Sequence, residues 1–318
     1  MIYRGLSSIG PDFGPSAVTI GNFDGVHAGH RRIMRRAVAL GAEIGAVPTV
    51  LTFDPHPATV VAPERTPRLL STLEERAELM RQEGIERVVI LPFDRGFSSL
   101  SPEEFVRDVL SGALQARAVL VGENFRFGAR QTGDVAVLRA LGEIHGFRTE
   151  VVGGVKLRGV LVSSTVIRGL IERGAVSRAG RLLERPYALE GPVVPGRGIG
   201  RQRTAPTLNL ETPAEVIPAR GVYITRACDV HDSSRSWASV TNVGVRPTFG
   251  GGPLTIETHL LEPLGGPDPV RLRVEFLRRL RDERQFGSPE ELKIQILRDA
   301  AAARKFFRRL GRAGKVIT

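Results

Sequence analysis

The chain has little cysteine, few lysines and no long apolar stretch. Its single cysteine, Cys228, excludes a disulfide framework and a zinc site built from cysteines. No apolar run approaches the ~20 residues that a membrane-spanning helix needs. The first residues, Met1–Gly5, lack the apolar core of a signal peptide. We therefore expect a cytoplasmic protein with no membrane partner.

The scarcity of lysine is accompanied by an excess of arginine. Basic residues outnumber acidic residues by 45 to 34 in a chain of 318, which gives a formal net charge of +11. Such an excess fits nucleic acid, membrane lipid or phosphorylated small molecules as partners, or only an arginine-biased composition. Aromatic residues make up 6% of the chain, and no zinc finger or aromatic RNA-binding motif is present. A nucleic-acid-binding protein is therefore a distant alternative, and no nucleic-acid partner is expected.

The length predicts about two domains, and residues 1–185 alternate strand and helix signals. Short unpatterned apolar runs such as Val47–Phe53 are typical of strands buried on both faces of a parallel sheet. A capping box at Ser71 and Glu74, and a cap at Ser101, predict two of the helices between them. We expect a doubly wound α/β domain that binds its ligand at the carboxyl ends of the strands.

Residues 186–318 have a different character. Glycine and proline become frequent through Arg185–Gly200, and short strand-like segments follow. One of them, Val270–Leu277, alternates strictly between apolar and charged residues. A cap at Ser288 begins a long terminal helix. This pattern predicts a small β-barrel or sandwich with a C-terminal helix.

The strongest chemical signal follows the first buried strand, in the segment Gly21–His30, which reads Gly-Asn-Phe-Asp-Gly-Val-His-Ala-Gly-His. A strand that enters a glycine-rich turn and then a helix presents backbone N–H groups and the positive helix end to an anion. The spacing of His27 and His30 predicts that both imidazoles project from one helical face. These features favour a nucleotide phosphate site. A metal site would need a further ligand, and the kinase phosphate loop Gly-x4-Gly-Lys-Ser/Thr is absent.

His-x-Gly-His is the signature of the nucleotidyltransferase α/β superfamily, and the longer string resembles the bacterial bifunctional riboflavin kinase/FAD synthetases. Further segments resemble the same family in order along nearly the whole chain: Phe53–Pro57, Val121–Gly128, Ser163–Arg168 and Gly196–Leu210. The resemblance implies an α/β doubly wound nucleotidyltransferase domain over residues 1–185, then a small β-barrel riboflavin kinase domain over residues 186–318. It also implies ATP as co-substrate, Mg²⁺, and riboflavin, FMN and FAD as substrates or products.

For the first domain, the resemblance implies an adenylyltransferase site with two sets of residues. The expected ATP-binding residues are Gly21, Asn22, Phe23, Asp24, Gly25, His27, His30, Ser163, Ser164, Thr165 and Arg168. Of these, His27, His30 and Arg168 are the expected catalytic residues. The expected flavin-binding residues are Asp54, Pro55, His56, Asn124 and Arg126. Because the attacking FMN phosphate is already ionised, we expect catalysis to come mainly from positioning, Mg²⁺ and cations.

For the second domain, the resemblance implies a riboflavin kinase site. The expected ATP-binding residues are Gly196, Gly198, Gly200, Arg201, Thr207 and Asn209. Thr207 and Asn209 are two apart, so they share a face of an extended strand and offer oxygen ligands to Mg²⁺. Arg246 and Glu257 are the expected flavin contacts, and Glu257 is the expected catalytic base for the substrate hydroxyl.

Departures from the family pattern leave alternatives open. Thr204 and Leu208 stand where the family usually has Gly and Ala, and the segment after Leu261 lacks its usual residues. A monofunctional FMN adenylyltransferase with an impaired kinase module is therefore an alternative. A class I aminoacyl-tRNA synthetase also uses His-x-Gly-His, but it needs a lysine-rich second loop, and this chain has four lysines. The oligomeric state is left open.

Overall fold

The computed structural model describes residues 1–195, 206–245 and 254–312. The chain divides into two compact units, Met1–Ser164 and Thr165–Thr318. The division expected after residue 185 rests on composition and stays a prediction about domains.

The first unit is built around a parallel sheet. Its strands are β1 (Ile2–Arg4), β2 (Ser16–Ile20), β3 (Val47–Asp54), β4 (Arg87–Pro92), β5 (Ala116–Gly122) and β6 (Arg148–Val152), followed by the short pair β7 (Lys156–Leu157) and β8 (Val160–Leu161). Its helices are α1 (Ala28–Ile44), α2 (Pro57–Val61), α3 (Leu73–Gln82), α4 (Arg95–Ser98), α5 (Pro102–Glu104), which continues as a π-helical segment (Phe105–Ala113), and α6 (Val135–His145). The sheet order is β1-β4-β3-β2-β5-β6, and every neighbouring pair is parallel. The predicted doubly wound α/β domain is confirmed.

Helices cover both faces of this sheet. Helices α1 and α3 pack on one face, where Met34 and Met80 are fully buried. The Phe105–Ala113 segment and α6 pack on the other face through Leu110 and Leu138. The chain changes face between β4 and β5, and β5 pairs with β2. Connections therefore diverge from the carboxyl ends of β2 and β5, which is where open α/β sheets bind their ligands.

The capping box predicted at Ser71 and Glu74 is wrong by one residue. Thr72 begins helix α3 by accepting the backbone N–H of Glu75 at 3.2 Å, and the Glu75 carboxylate accepts the N–H of Thr72 at 2.9 Å. The Ser71 hydroxyl is instead committed to another loop, because it accepts the backbone N–H of Gly25 at 3.1 Å. Ser71 therefore belongs to the surroundings of the Gly21–His30 segment.

Helix α7 (Ser164–Glu172) runs across the division between the units, and α8 (Val176–Leu183) follows it. The second unit then forms a closed antiparallel barrel in the order β10-β13-β12-β11-β14-β9. Its strands are β9 (Tyr187–Val194), β10 (Thr207–Leu210), β11 (Gly221–Asp229), β12 (Ser236–Val245), β13 (Leu254–Leu260) and β14 (Arg271–Arg281), and helix α9 (Pro289–Arg312) ends the described chain. The predicted β-barrel with a C-terminal helix is confirmed.

The alternation predicted for the last strand separates the barrel interior from its outer surface. Leu272, Val274 and Phe276 of β14 are buried, and the intervening charged residues are more exposed. The interior also holds hydroxyl groups that bond to one another across the strands, as when Thr241 Oγ1 lies 3.0 Å from Thr258 Oγ1. These bonds satisfy polar groups that burial would otherwise penalise.

Helix α9 packs on the outside of the barrel. Ala300 and Ala303 are buried against Val222 and Val240, and the small alanine side chains allow a close approach. A further link is an ion pair between Arg281 of β14 and Asp299, with Nη2 and Oδ2 2.9 Å apart. None of the helices in the described ranges combines the length and apolar character that a membrane crossing requires.

Candidate active sites

The loop that leaves β2 has a strained backbone. Phe23 and Val26 have φ angles of 50° and 37°, and Gly25 has a φ of 76°. Left-handed backbone costs on the order of 1–3 kcal/mol per non-glycine residue, and a β-branched residue such as Val26 rarely adopts it. Such a loop persists only where its surroundings hold it, and strain of this kind concentrates at functional sites.

Asp24 supplies part of that support. Its buried carboxylate accepts the backbone N–H of Leu70 at 2.9 Å and the backbone N–H of Ser71 at 3.3 Å. The bond from the Gly25 N–H to the Ser71 hydroxyl completes the connection. The Asp24 carboxylate thus joins two segments of the chain, and it shapes the loop in which the sequence predicts ATP binding.

His27 and His30 lie together, although His27 does not belong to the helix. His27 has extended backbone and is the N-cap of α1, where its Nδ1 accepts the backbone N–H of His30 at 3.3 Å. The two imidazole rings stack with centroids 3.6 Å apart, and Phe23 meets His30 edge-on at 5.2 Å. Because Nδ1 of His27 accepts a hydrogen bond, its neutral ring carries the proton on Nε2. The capping bond therefore makes His27 Nε2 a hydrogen-bond donor at the helix N-terminus.

Asn22 connects this loop to the segment that follows β3. Its side-chain amide lies 3.0 Å from Nε2 of His56. His56 in turn begins helix α2, because its Nδ1 accepts the backbone N–H of Ala58 at 3.1 Å. Asp54 and Pro55 precede it at the end of β3, and both are exposed. The structure thus brings predicted ATP-binding and flavin-binding residues into direct contact.

The remaining predicted flavin residues lie in the loop after β5. Asn124 is exposed, and Arg126 forms an ion pair with Asp134, the residue that caps α6, at 3.3 Å. Because the side chains of that pair are about half exposed to solvent, the pair itself contributes little stability. Arg126 therefore keeps its charge at the surface beside the carboxyl end of β5.

An aromatic cluster at the same sheet edge escaped the sequence analysis. Phe53 lies near the end of β3, and Phe93 and Phe97 follow β4; their ring centroids are 5.5 to 5.7 Å apart. Phe125 and Phe127 stack after β5 at 5.5 Å, with 16° between their planes. The signal that could have found the cluster is the position of each phenylalanine at or just after the end of a strand. All of these rings except the buried Phe127 are half-buried, and half-buried aromatic faces at a ligand-binding edge suit a planar ring system.

The Ser163–Arg168 motif begins at the same loop. Ser164 donates its hydroxyl hydrogen to the backbone oxygen of Asp24 at 2.9 Å, and Ser163 precedes it at half-buried depth. Thr165 and Arg168 continue along α7, where Thr165 is exposed and Arg168 is half-buried. The predicted hydroxyl of Ser164 is therefore placed against the strained loop.

In the barrel, the described kinase candidates Thr207, Asn209 and Glu257 lie on one outer face. Asn209 of β10 is the Cα partner of Glu257 of β13, and Thr207 is the partner of His259. Thr207 Oγ1 lies 3.4 Å from His259 Nδ1. Leu208, which replaces the usual Ala of the family, is buried and points to the opposite face. Its bulk therefore fills the barrel interior and does not obstruct the face that carries Thr207 and Asn209.

Asn242 of β12 is a further residue of this face; it begins a segment that follows the family pattern, but the sequence predicts no role for it. It is the Cα partner of Glu257 on the side opposite to Asn209, so the three side chains form one row across three strands. Two residues further along, a Cβ on Gly244 would overlap the carboxylate of Glu283. Glycine at that position lets a second carboxylate approach the row. Strand alternation within residues 236–245 predicts that Asn242 lies on the outer face of the barrel. Only the register of β12 with β13 shows that its partner is Glu257.

His259 is held neutral by its surroundings. Burial lowers its pKa below the usual 6.5, and the positive charge of Arg304 on α9 lowers it further. Arg304 also donates to the backbone oxygen of Leu261 at 3.2 Å, which fixes the helix beside the end of β13. The lowered pKa means that His259, next to Thr207, carries less positive charge near neutral pH than an ordinary histidine would.

The other predicted kinase residues, Gly196, Gly198, Gly200, Arg201 and Arg246, lie outside the described residues, as does Thr204. Within the described ranges, no group of three or more His, Cys, Asp or Glu side chains could hold a metal ion. Thr207 and Asn209 offer a hydroxyl and an amide oxygen. These hard oxygen donors fit Mg²⁺ that is shared with nucleotide phosphates, which is the usual mode of Mg²⁺ binding.

Comparison with known proteins identifies the family of both halves of the chain. A family model of FAD synthetase matches residues 11–166, and a family model of riboflavin kinase matches residues 183–307. A bifunctional riboflavin kinase/FMN adenylyltransferase from Pseudomonas fluorescens is 38% identical over 304 residues, which cover 95% of this chain and 96% of the relative. The chain belongs to the bifunctional riboflavin kinase/FMN adenylyltransferase family. The resemblance stated from the motifs is thereby confirmed.

The chain is also similar to a second bifunctional riboflavin kinase/FMN adenylyltransferase and to a solved structure with a different description. The Escherichia coli K12 enzyme is 34% identical over 290 residues, covering 91% of this chain and 92% of its own. A solved structure described as a macrolide-efflux protein from Streptococcus pneumoniae has a TM-score of 0.83 at 26% identity, covering 96% of this chain and 98% of that chain. Because both family models match and the named relatives are bifunctional, the two-activity interpretation stands over a monofunctional adenylyltransferase.

Proposed function

We propose that the chain phosphorylates riboflavin to FMN on the barrel and adenylylates FMN to FAD at the carboxyl edge of the parallel sheet. The observation that carries the proposal is that one chain contains two separate candidate sites. One is the strained loop with His27 and His30 at the sheet switch point. The other is the row of Asn209, Glu257 and Asn242 on the barrel. Since both reactions consume ATP, we place the enzyme in the cytoplasm, and neither reaction requires nucleic acid or a membrane.

In adenylyl transfer, an oxygen of the FMN phosphate attacks the α-phosphorus of ATP. A new P–O bond forms, the bond to the β-phosphate breaks, and pyrophosphate leaves. The helix N-terminus of α1 and the Nε2–H of His27 offer donors where negative charge increases on the phosphates. His30 is held against His27 and Phe23. We assign Ser163, Ser164, Thr165 and Arg168 to the same nucleotide, with Arg168 as a cation.

The flavin of the adenylyltransferase site is proposed to bind beside the nucleotide. The Phe53, Phe93 and Phe97 rings offer apolar faces for the isoalloxazine ring. The segment Asp54–His56 and the loop with Asn124 and Arg126 supply polar contacts around it. The contact between Asn22 and His56 then sets the distance between the flavin and nucleotide positions.

In the kinase reaction, the terminal ribityl hydroxyl of riboflavin attacks the γ-phosphorus of ATP. Glu257 is proposed to accept the hydroxyl proton and to orient the oxygen for attack as ADP leaves. Thr207 and Asn209 are proposed to hold the Mg²⁺–nucleotide complex, and bound Mg²⁺ neutralises phosphate charge. Asn209 and Asn242 lie on either side of Glu257 in the strand register, and their amide groups are proposed to orient its carboxylate during the reaction. Gly196, Gly198, Gly200, Arg201 and Arg246 keep their predicted roles in nucleotide and flavin binding.

The test is a product assay with two starting flavins. Riboflavin, ATP and Mg²⁺ should give FMN and then FAD, and supplied FMN with ATP should give FAD and pyrophosphate. A chain that makes FAD from FMN but no FMN from riboflavin would be a monofunctional adenylyltransferase. A chain that converts neither flavin would contradict the proposed function.

A further inference from the structure

Arg76 is a buried arginine that the adenylyl transfer described above does not use. Its residue is only 3% exposed, although a guanidinium is almost always charged and seldom buried without partners. It lies on α3, which packs beside the β2 strand and the loop that follows it. On the same helix, Arg81 is about half exposed and pairs with Glu78 at the surface. The burial of Arg76 therefore needs an explanation that its helix does not supply.

The guanidinium donates to two backbone carbonyls. Its Nη1 lies 3.1 Å from the oxygen of Asn22, and its Nη2 lies 3.4 Å from the oxygen of Ser71. The Asn22 oxygen also receives the Thr52 hydroxyl at 3.5 Å. These donors draw the carbonyl of Asn22 into the protein, at the centre of the loop predicted to bind ATP.

The direction of this carbonyl fixes the direction of the next amide. In a planar trans peptide, the C=O of Asn22 and the N–H of Phe23 point to opposite sides. Holding the Asn22 oxygen toward Arg76 therefore turns the Phe23 N–H away from it. In the described part of the chain no protein group accepts this N–H. A free backbone N–H at the N-terminal side of a helix is a donor suited to a phosphate oxygen.

The loop needs contacts from other segments to hold the Asn22–Phe23 peptide in this orientation. Phe23 and Val26 both hold strained left-handed backbone. Ser71 connects these contacts through three hydrogen bonds. Its N–H donates to the Asp24 carboxylate, its hydroxyl accepts the N–H of Gly25, and its carbonyl accepts from Arg76. Arg76 is thus bonded both to the loop and to the segment that braces it.

We propose that Arg76 is a positioning residue of the adenylyltransferase site, which holds the Asn22–Phe23 peptide with its N–H turned toward the ATP phosphates. The proposal rests on the proposed FMN adenylylation. Arg76 acts through the loop and makes no contact with substrate. Loss of the Arg76 side chain should therefore raise KM for ATP more than KM for FMN, and it should leave riboflavin phosphorylation unchanged.

The test compares Arg76→Met, which keeps the apolar stem but removes the donors, with Arg76→Lys, which keeps a charge and fewer donors. Arg81→Met is the matched control on the same helix. For each full-length variant, KM for ATP and KM for FMN are measured in FAD formation, together with riboflavin kinase activity and Tm. We expect Arg76→Met to raise KM for ATP about 10- to 100-fold, as loss of hydrogen bonds from a buried charged donor implies. Arg76→Lys should be intermediate, and Arg81→Met should resemble the wild type.

A merely structural role gives a different result. Partial unfolding removes active enzyme, so it lowers the apparent kcat and leaves KM for ATP unchanged. An unchanged KM for ATP in folded Arg76→Met would overturn the proposal, as would equal increases in KM for ATP and FMN. If Arg76→Met does not fold, Arg76→Lys decides by the same comparison. Failure of the wild type to make FAD from FMN would instead overturn the proposed function.

Discussion

Asn242 and Glu257 are Cα partners on adjacent antiparallel strands, and Asn209 is the partner of the same glutamate from the other side. One carboxylate is thus placed between two amides on the outer face of the barrel. Amide groups offer donors that orient a carboxylate without neutralising its charge. This arrangement suits a base that must point one oxygen at an alcohol, and it leads to the first two predictions.

Replacing Glu257 by Gln should abolish riboflavin phosphorylation and spare FMN adenylylation. The amide keeps the size of the side chain but cannot accept the hydroxyl proton, and such a base contributes about 10²- to 10⁴-fold to rate. The measurement is formation of FMN from riboflavin and of FAD from supplied FMN. If both activities fell together in a folded variant, a model of separate sites would be wrong.

Replacing Asn242 by Ala should reduce kinase kcat about 10-fold, because the proposed orienting amide beside the Glu257 carboxylate is lost and a hydrogen bond to a charged group is worth about 1.5 kcal/mol. KM for ATP should change little, since Thr207 and Asn209 lie on the other side of the glutamate. Steady-state kinetics of riboflavin phosphorylation measure both. Ser236→Ala, at the other end of the same strand, is the matched control. An unaltered kcat in Asn242→Ala would remove Asn242 from the site.

Replacing His30 by Ala should abolish FAD formation from FMN and leave riboflavin phosphorylation largely intact. The variant loses the ring that stacks on His27 and contacts Phe23, at the helix end where charge develops on the phosphates. The two-product assay measures the effect. His145→Ala, at the end of α6, is a control in the same unit. Undiminished FAD formation by the His30 variant would contradict the assignment.

The barrel unit should lose stability as the pH falls below about 6.5, the usual pKa of histidine. Burial and Arg304 lower the pKa of His259 in the folded state. The unfolded chain therefore binds a proton at a higher pH than the folded chain, and protonation favours unfolding. The contribution of His259 to the free energy of unfolding is fully present above its pKa in the unfolded chain. It is lost as the pH falls through its lower pKa in the folded protein.

The free energy of unfolding measured from pH 8 to pH 5 checks this expectation. His259→Gln, which cannot titrate, should show a smaller decrease over the acid part of that range. His231, which is exposed on the same unit, provides the control variant His231→Gln with an unchanged slope. A wild-type slope that His259→Gln leaves unaltered would assign the decrease to other groups.

Helix starts could be predicted from the sequence where the capping residues bond only within their own helix. Ser101 accepts the N–H of Glu104 at 3.1 Å, as its capping pattern predicts. The cap at Ser71 was wrong because its hydroxyl serves Gly25, which lies 46 residues earlier in the chain. Only the tertiary fold brings that competing donor within reach. A pattern of side chains cannot show which of two adjacent hydroxyls is already engaged elsewhere.

The candidate site residues show the same limit. His27, His30 and Glu257 are predicted from the sequence, because each belongs to a contiguous motif. Asn242 required the register of two strands, and Arg76 required its burial, neither of which sequence spacing contains. Strand alternation alone predicts that Leu208 points away from the face of Thr207 and Asn209. Only the closed barrel shows that the Leu208 side chain lies in the interior.

Closure of that barrel has a consequence for behaviour at high concentration. Each of its six strands has a hydrogen-bonded neighbour on both sides in the described structure, so the barrel offers no free strand for another chain to extend. The sheet of the first unit, in contrast, ends in β1 and β6, which have three and five residues. Short terminal strands give poor templates for intermolecular pairing. The architecture therefore limits aggregation by two different means, full closure in one unit and brevity of the edges in the other.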